Sequence, residues 1–166
     1  MISQYQICHV PLATAGQLYV MARPDPQELQ QVMAALAGLK VIRLVCLLPD
    51  TELTSLNLAQ EPDSCARHGI EFVHFPIRDF GLPPPAAFNH LTRRLVDDLR
   101  QGRSLVIHCR AGIGRTGMLS GCVLRELGFD TEQAIALISR ARGFSVPDTP
   151  AQRQFIADYR PCKTAS

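Results

Sequence analysis

Apolar positions along this chain fall into two alternating patterns, short continuous runs and longer stretches recurring every three or four residues. The runs at 41–48, 70–75 and 105–108 are of the length and composition of buried strands, and 17–21 is a shorter, earlier candidate. Helical spacing first appears in Leu29, Val32, Met33 and Leu36, after the start signals Asp25 and Pro26, and Gly38 closes that segment. A short helix is predicted over 63–67. Beyond the break at Pro83, Pro84 and Pro85, the residues Phe88, Leu91, Leu95 and Leu99 give a helix over 86–100 one apolar face. The segment 115–127 is apolar almost all round, through Met118, Leu119, Cys122, Val123 and Leu124, which predicts a helix buried on every side. Asp130 with Gln133 caps a helix carrying Ile135, Leu137 and Ile138, and Thr149 with Gln152, with Pro150 at the first helical position, caps the last one. Strands separated by helices predict an α/β fold: a mainly parallel central sheet flanked by helices on both faces, with its site at the carboxyl ends of the strands.

Composition narrows the class. At 166 residues and 46% hydrophobic, the chain suffices for one well-formed core, so a single domain over 1–166 is expected. A net charge of +2 gives no basis for nucleic-acid binding. The six cysteines, Cys8, Cys46, Cys65, Cys109, Cys122 and Cys162, show no paired spacing and no Cys-x-x-Cys, which predicts reduced thiols, no metal site and no cofactor. No basic residue precedes Arg23 and no run approaches membrane-span length, so neither a signal peptide nor a membrane span is expected, and residence is expected to be cytoplasmic. Nothing in the pattern specifies an oligomeric state.

The decapeptide at 108–117, His-Cys-Arg-Ala-Gly-Ile-Gly-Arg-Thr-Gly, carries the chemistry. A strand enters it and a helix leaves it. Gly112 and Gly114 let the loop Arg110, Ala111, Gly112, Ile113, Gly114, Arg115 turn so that its N–H groups converge on a tetrahedral anion, and the helix N-terminus adds its own donors there. That field favours the thiolate of Cys109, the form that attacks. Arg115 offers a planar fork for two phosphoryl oxygens, and the Thr116 hydroxyl is placed to reach the sulfur. A buried structural cysteine would be the commoner reading of one isolated Cys, but it requires none of these neighbours in fixed order.

Phosphoryl transfer to sulfur also needs a proton donor for the leaving oxygen. Asp79 is the candidate, thirty positions before Cys109 in Pro-Ile-Arg-Asp-Phe-Gly-Leu-Pro, where ordinary turn chemistry is the competing explanation. Asp97 and Asp98 are weaker rivals on a helix.

The pattern His108-Cys109-x5-Arg115-Thr116-Gly117 resembles the signature of the cysteine-dependent protein tyrosine and dual-specificity phosphatases, and its wider matches resemble the small atypical members of the cyclin-dependent-kinase-associated type. The resemblance implies a phosphatase-type fold and hydrolysis of a phosphomonoester through a phosphocysteine, without metal. In it Cys109 is the nucleophile and Arg115 the phosphate clamp; Asp79 is the general acid and then the base for water. It further implies that His108 shapes the loop by hydrogen bonding, and that Glu52 lies on a loop bordering the site. Gln152 is either the residue that positions the hydrolytic water or simply half of its capping box. Arg78, Arg110 and Arg115 are expected to make the mouth positive. Substrates would be phosphorylated proteins; phosphoinositides or other small phosphomonoesters are the alternative, not specifically favoured because Ala111 and Gly114 stand where inositide-acting relatives often carry basic residues and Ile113 is apolar. A Cys-His triad through His108, a rhodanese-like sulfurtransferase and a non-catalytic phosphate-binding module are the remaining readings. Cys46 and Cys122 are candidate disulfide partners of an oxidised Cys109.

Overall fold

The computed structural model describes residues 4–162. A five-stranded sheet runs in the order β1, β2, β5, β3, β4, comprising Cys8–Val10, Leu18–Met21, Ser104–His108, Val41–Cys46 and Glu71–His74 in that spatial order. Three of the four pairings are parallel, and only the β1–β2 edge is antiparallel. The sequence pattern does not disclose β1, because a three-residue edge strand is too short to show alternation.

Among the described residues, seven α-helices cover both faces. They are α1 Leu29–Gly38, α2 Asp50–Ser55, α3 Glu61–Arg67, α4 Pro85–Arg100, α5 Gly114–Glu126, α6 Thr131–Arg142 and α7 Pro150–Asp158. Alternate strand residues feed two separate cores. Leu18, Val20, Leu105 and Ile107 pack with Phe88, Leu95, Leu119 and Val123 on one face; Tyr19, Met21 and Val106 pack with Val32, Met33 and Leu36 on the other. Helix α5 is buried along nearly its whole length and touches α4, α6 and α7, as its all-round apolar sequence predicts. The segment expected as a loop at 49–53 instead opens helix α2. Pro49 stands at its N-cap, and Asp50 and Glu52 in the first turn suit the positive end of the helix dipole. No helix among the described residues is long and apolar enough to cross a membrane.

Central strand β5 sits between β2 and β3, and the chain leaves its carboxyl end at Cys109. This is the position where open α/β sheets build sites.

Candidate active site

The turn after β5 is shaped by two glycines for different reasons. Gly112 has φ +71, and a β-carbon there would lie 2.5 Å from the Met21 carbonyl oxygen. Gly114 has ordinary helical geometry, but a β-carbon on it would meet Asp148 Oδ2 at 2.4 Å and Gln152 Nε2 at 2.9 Å. Conformational freedom is needed at the first, close approach at the second.

Arg142 holds the outside of the loop. Its guanidinium, 5% exposed, donates from Nη2 to the Ala111 carbonyl at 2.8 Å and from Nε to the Gly112 carbonyl at 3.3 Å. With those carbonyls tied to Arg142, the loop's own N–H groups are free for an anion. Phe144 lies against the same guanidinium, its ring centroid 5.0 Å away. The sequence offered only one hint of this residue, a basic side chain in the last turn of a helix ending at Gly143.

Cys109 and Arg115 are both 2% exposed at the base of a cavity of about 180 Å³, which is also lined by Arg110, Ala111, Gly114, Asp79, Phe80 and Asp148. Arg115 is fixed by a fork on Glu52, Nη1 to Oε2 at 2.5 Å and Nη2 to Oε1 at 3.2 Å, and by Nη1 donating to the Ile77 carbonyl at 2.9 Å. Burial alone would make this cation less favourable; the hydrogen bond to Glu52 and the charges of Cys109, Glu52 and Asp79 outweigh it and hold its pKa above the ordinary value. Asp79 Oδ1 stands 3.3 Å from Arg115 Nη2, so the acid-loop residue and the P-loop arginine share one site. Arg78 is exposed and outside the cavity lining.

Asp79 is carried by a tight turn closed by the Gly81 N–H on the Arg78 carbonyl at 2.7 Å. Phe80 sits in that turn at φ +58, a conformation that costs a bulky residue about 1–3 kcal/mol. Its ring is 63% exposed at the cavity rim. The rival carboxylates lie elsewhere: Asp98, 4% exposed, is ion-paired with Arg43 of β3 and with Arg103, and Asp97 is outside the cavity.

His108 points to the opposite face of the sheet from Cys109, so no Cys-His triad forms. Its Nδ1 donates to the Cys109 carbonyl at 3.0 Å, and its Nε2 donates to Glu61 Oε2 at 2.8 Å, with both side chains fully buried. Both ring nitrogens face pure acceptors, which an imidazolium alone satisfies. Desolvation pulls its pKa down, but the facing Glu61 charge and the contact with Cys46 outweigh burial and hold it well above 6.5. Cys46, Glu61 and His108 are also the one buried trio among the described residues with donor atoms within 4.8 Å of one another.

Thr116 is fully buried, and its hydroxyl has no hydrogen-bond partner among the described residues. Gln152, 1% exposed, makes the capping box: Gln152 N–H donates to Thr149 Oγ1 at 3.1 Å, and its Oε1 accepts from the N–H groups of Thr149 and Asp148 at 3.1 and 3.0 Å. The residue of this segment that faces the cavity is Asp148 instead. Sequence reasoning passed over it because the residue before an N-cap ordinarily has no role of its own. His74, at the end of β4, donates from Nε2 to the Leu48 carbonyl at 2.6 Å.

All six cysteines are free. Burial pushes the Cys122 thiol up to about 12, which makes it a poor attacker on an oxidised Cys109.

Comparison with known proteins agrees with this geometry. The family model described as Swiss Army Knife protein, DSP-PTPase phosphatase domain (PTP-SAK), matches residues 12–161. The chain is 30% identical over 157 residues to cyclin-dependent kinase inhibitor 3 of Sus scrofa and 26% identical over 156 residues to that of Homo sapiens. Each alignment covers 93% of this chain and 70% of the relative. Among solved structures, kinase associated phosphatase with its catalytic-site cysteine replaced by serine superimposes with a TM-score of 0.86 at 23% identity, covering 96% of both chains.

Proposed function

The chain belongs to the DSP-PTPase family of protein tyrosine and dual-specificity phosphatases, and from that premise we propose that it hydrolyses phosphoprotein monoesters through a phosphocysteine on Cys109. The observation that carries the reading is the gathering of Cys109 and Arg115 from one loop, and Asp79 from a turn thirty residues earlier, around one phosphate-sized cavity.

The roles follow from the geometry. The Cys109 thiolate attacks phosphorus, while the loop N–H groups and the Arg115 fork hold the equatorial oxygens as they flatten. Glu52 and the Ile77 carbonyl fix the fork in advance, so little ordering remains for the transition state. Asp79 protonates the departing oxygen. Thr116, whose buried hydroxyl has no partner among the described residues, stabilises the sulfur when it leaves phosphorus in the second half-reaction. His108 places a positive charge behind the loop and fixes the Cys109 carbonyl. Arg110, the remaining cation of the cavity wall, draws the dianion in.

A protein substrate is supported by the acid loop, where Phe80 at the cavity rim and Leu82 further along are exposed apolar side chains. The single added cation in the lining, Arg110, gives little grip on the several phosphates of an inositide. The names of the relatives, a cyclin-dependent kinase inhibitor and a kinase associated phosphatase, support a phosphoprotein as well. Two apolar cores on one shared sheet support a single domain, and the six free thiols support a reducing, cytoplasmic setting. An activity panel in chelator, with vanadate as control, over phosphotyrosyl, phosphothreonyl and phosphoinositide substrates tests the reading. Phosphopeptide kcat/KM above that for inositides supports it, and the reverse order refutes a protein substrate.

A further inference from the structure

Once the leaving group has gone, hydrolysis of the phosphocysteine needs a group to take a proton from water arriving at the vacated apical position. On the two-step reading above, we propose that Asp148 is that base, in place of the Asp79 that the sequence alone would use for both steps.

Three observations carry this. Asp148 lines the same cavity as Cys109 and Arg115, but comes from a different element than Asp79, the turn that opens α7. Its carboxylate lies hard against the P-loop, on the face of Gly114 where any β-carbon would collide with Oδ2. It is also held: its backbone N–H donates to the buried Gln152 Oε1, which binds the Thr149 N–H as well, so the residue moves with the α7 cap. Asp79 is held differently, on a strained exposed turn beside the Arg115 guanidinium.

The surroundings of Asp148 suit a proton acceptor. Desolvation first, and then the neighbouring charge of Asp79, raise its carboxyl above the usual range, with Arg115 opposing. Once ionised, a more basic carboxylate draws a proton from water more effectively. In the step itself the water oxygen bonds to phosphorus and the P–S bond breaks, its electron pair returning to Cys109 Sγ. One water proton passes to the Asp148 carboxylate, inorganic phosphate departs, and Asp148 then loses the proton to solvent.

Rapid mixing of Asp148→Asn and Asp148→Ala with p-nitrophenyl phosphate, followed by acid quench and mass spectrometry, tests the assignment. Asp148 is exposed, so both variants should fold, which an unchanged melting curve verifies. The expected result is a burst of one nitrophenolate per site at the wild-type rate, then steady turnover lower by about 10²-fold, with phosphate accumulating on Cys109. Wild-type steady turnover would overturn the proposal while leaving the phosphocysteine reading intact. So would a slowed burst whose rate depends on leaving-group basicity, since that places Asp148 in the first step. Turnover without any phosphoenzyme, persisting in Cys109→Ser, would refute the underlying mechanism and this step with it.

Discussion

Asp79 and Glu61 are both carboxylates bound to a cation, yet solvent makes their consequences opposite. Asp79, with a side chain 45% exposed, rests 3.3 Å from Arg115 and loses little when neutralised, so its removal should be felt in rate rather than stability. Asp79→Asn should lower kcat by about 10²–10⁴-fold, more for poor leaving groups than for good ones, as a series of aryl phosphates will show. Glu61 is wholly buried against the His108 imidazolium, and its removal strands a charge. Glu61→Gln should cost about 3–5 kcal/mol in denaturant unfolding. Because the folded His108 holds its proton above the ordinary value, this contribution is complete below about pH 6.5 and is lost as pH rises through the raised folded-state value. The stability gap between wild type and Glu61→Gln should therefore narrow with rising pH; a gap independent of pH would contradict the ion pair. Asp79 was legible in sequence because its turn chemistry and its distance from Cys109 stand out along the chain. Glu61 was not, since only the fold carries α3 beneath a histidine 47 positions away.

At the scale of elements, the loop is a product of what presses on it: α5 continues its N–H groups, α7 brings Asp148 and Gln152 against Gly114, and Arg142 at the end of α6 ties back its carbonyls. Removing that tie should loosen the cradle without emptying the site. Arg142→Met is expected to reduce kcat/KM by at least tenfold and to weaken vanadate affinity in parallel, because the nest that holds the transition state is disordered while the nucleophile remains. Unchanged vanadate binding would show that the loop keeps its shape unaided. The long helices and capping boxes were readable from periodicity and end signals. Helix α2 was not, as six residues starting at Asp50 carry too few turns for a period and only one buried side chain, Leu53. What α2 contributes, the grip of Glu52 on Arg115, is a tertiary contact spanning 63 positions.

For the molecule as a whole, the sheet order sets the chemistry in place. Placing β5 between β2 and β3 buries its residues on both faces, so its end is rigid, and the nucleophile emerges there toward the α5 side while His108 faces α3. The proposed chemistry turns on a covalent phosphoryl group on Cys109 formed without metal. The most direct test is rapid-quench peptide mass spectrometry of the protein turning over a phosphotyrosyl peptide in chelator, alongside Cys109→Ser. The expected result is one phosphoryl group per molecule on the peptide containing Cys109, full activity in chelator and no turnover by the serine variant. Phosphate found on another residue, or turnover surviving in Cys109→Ser, would contradict it.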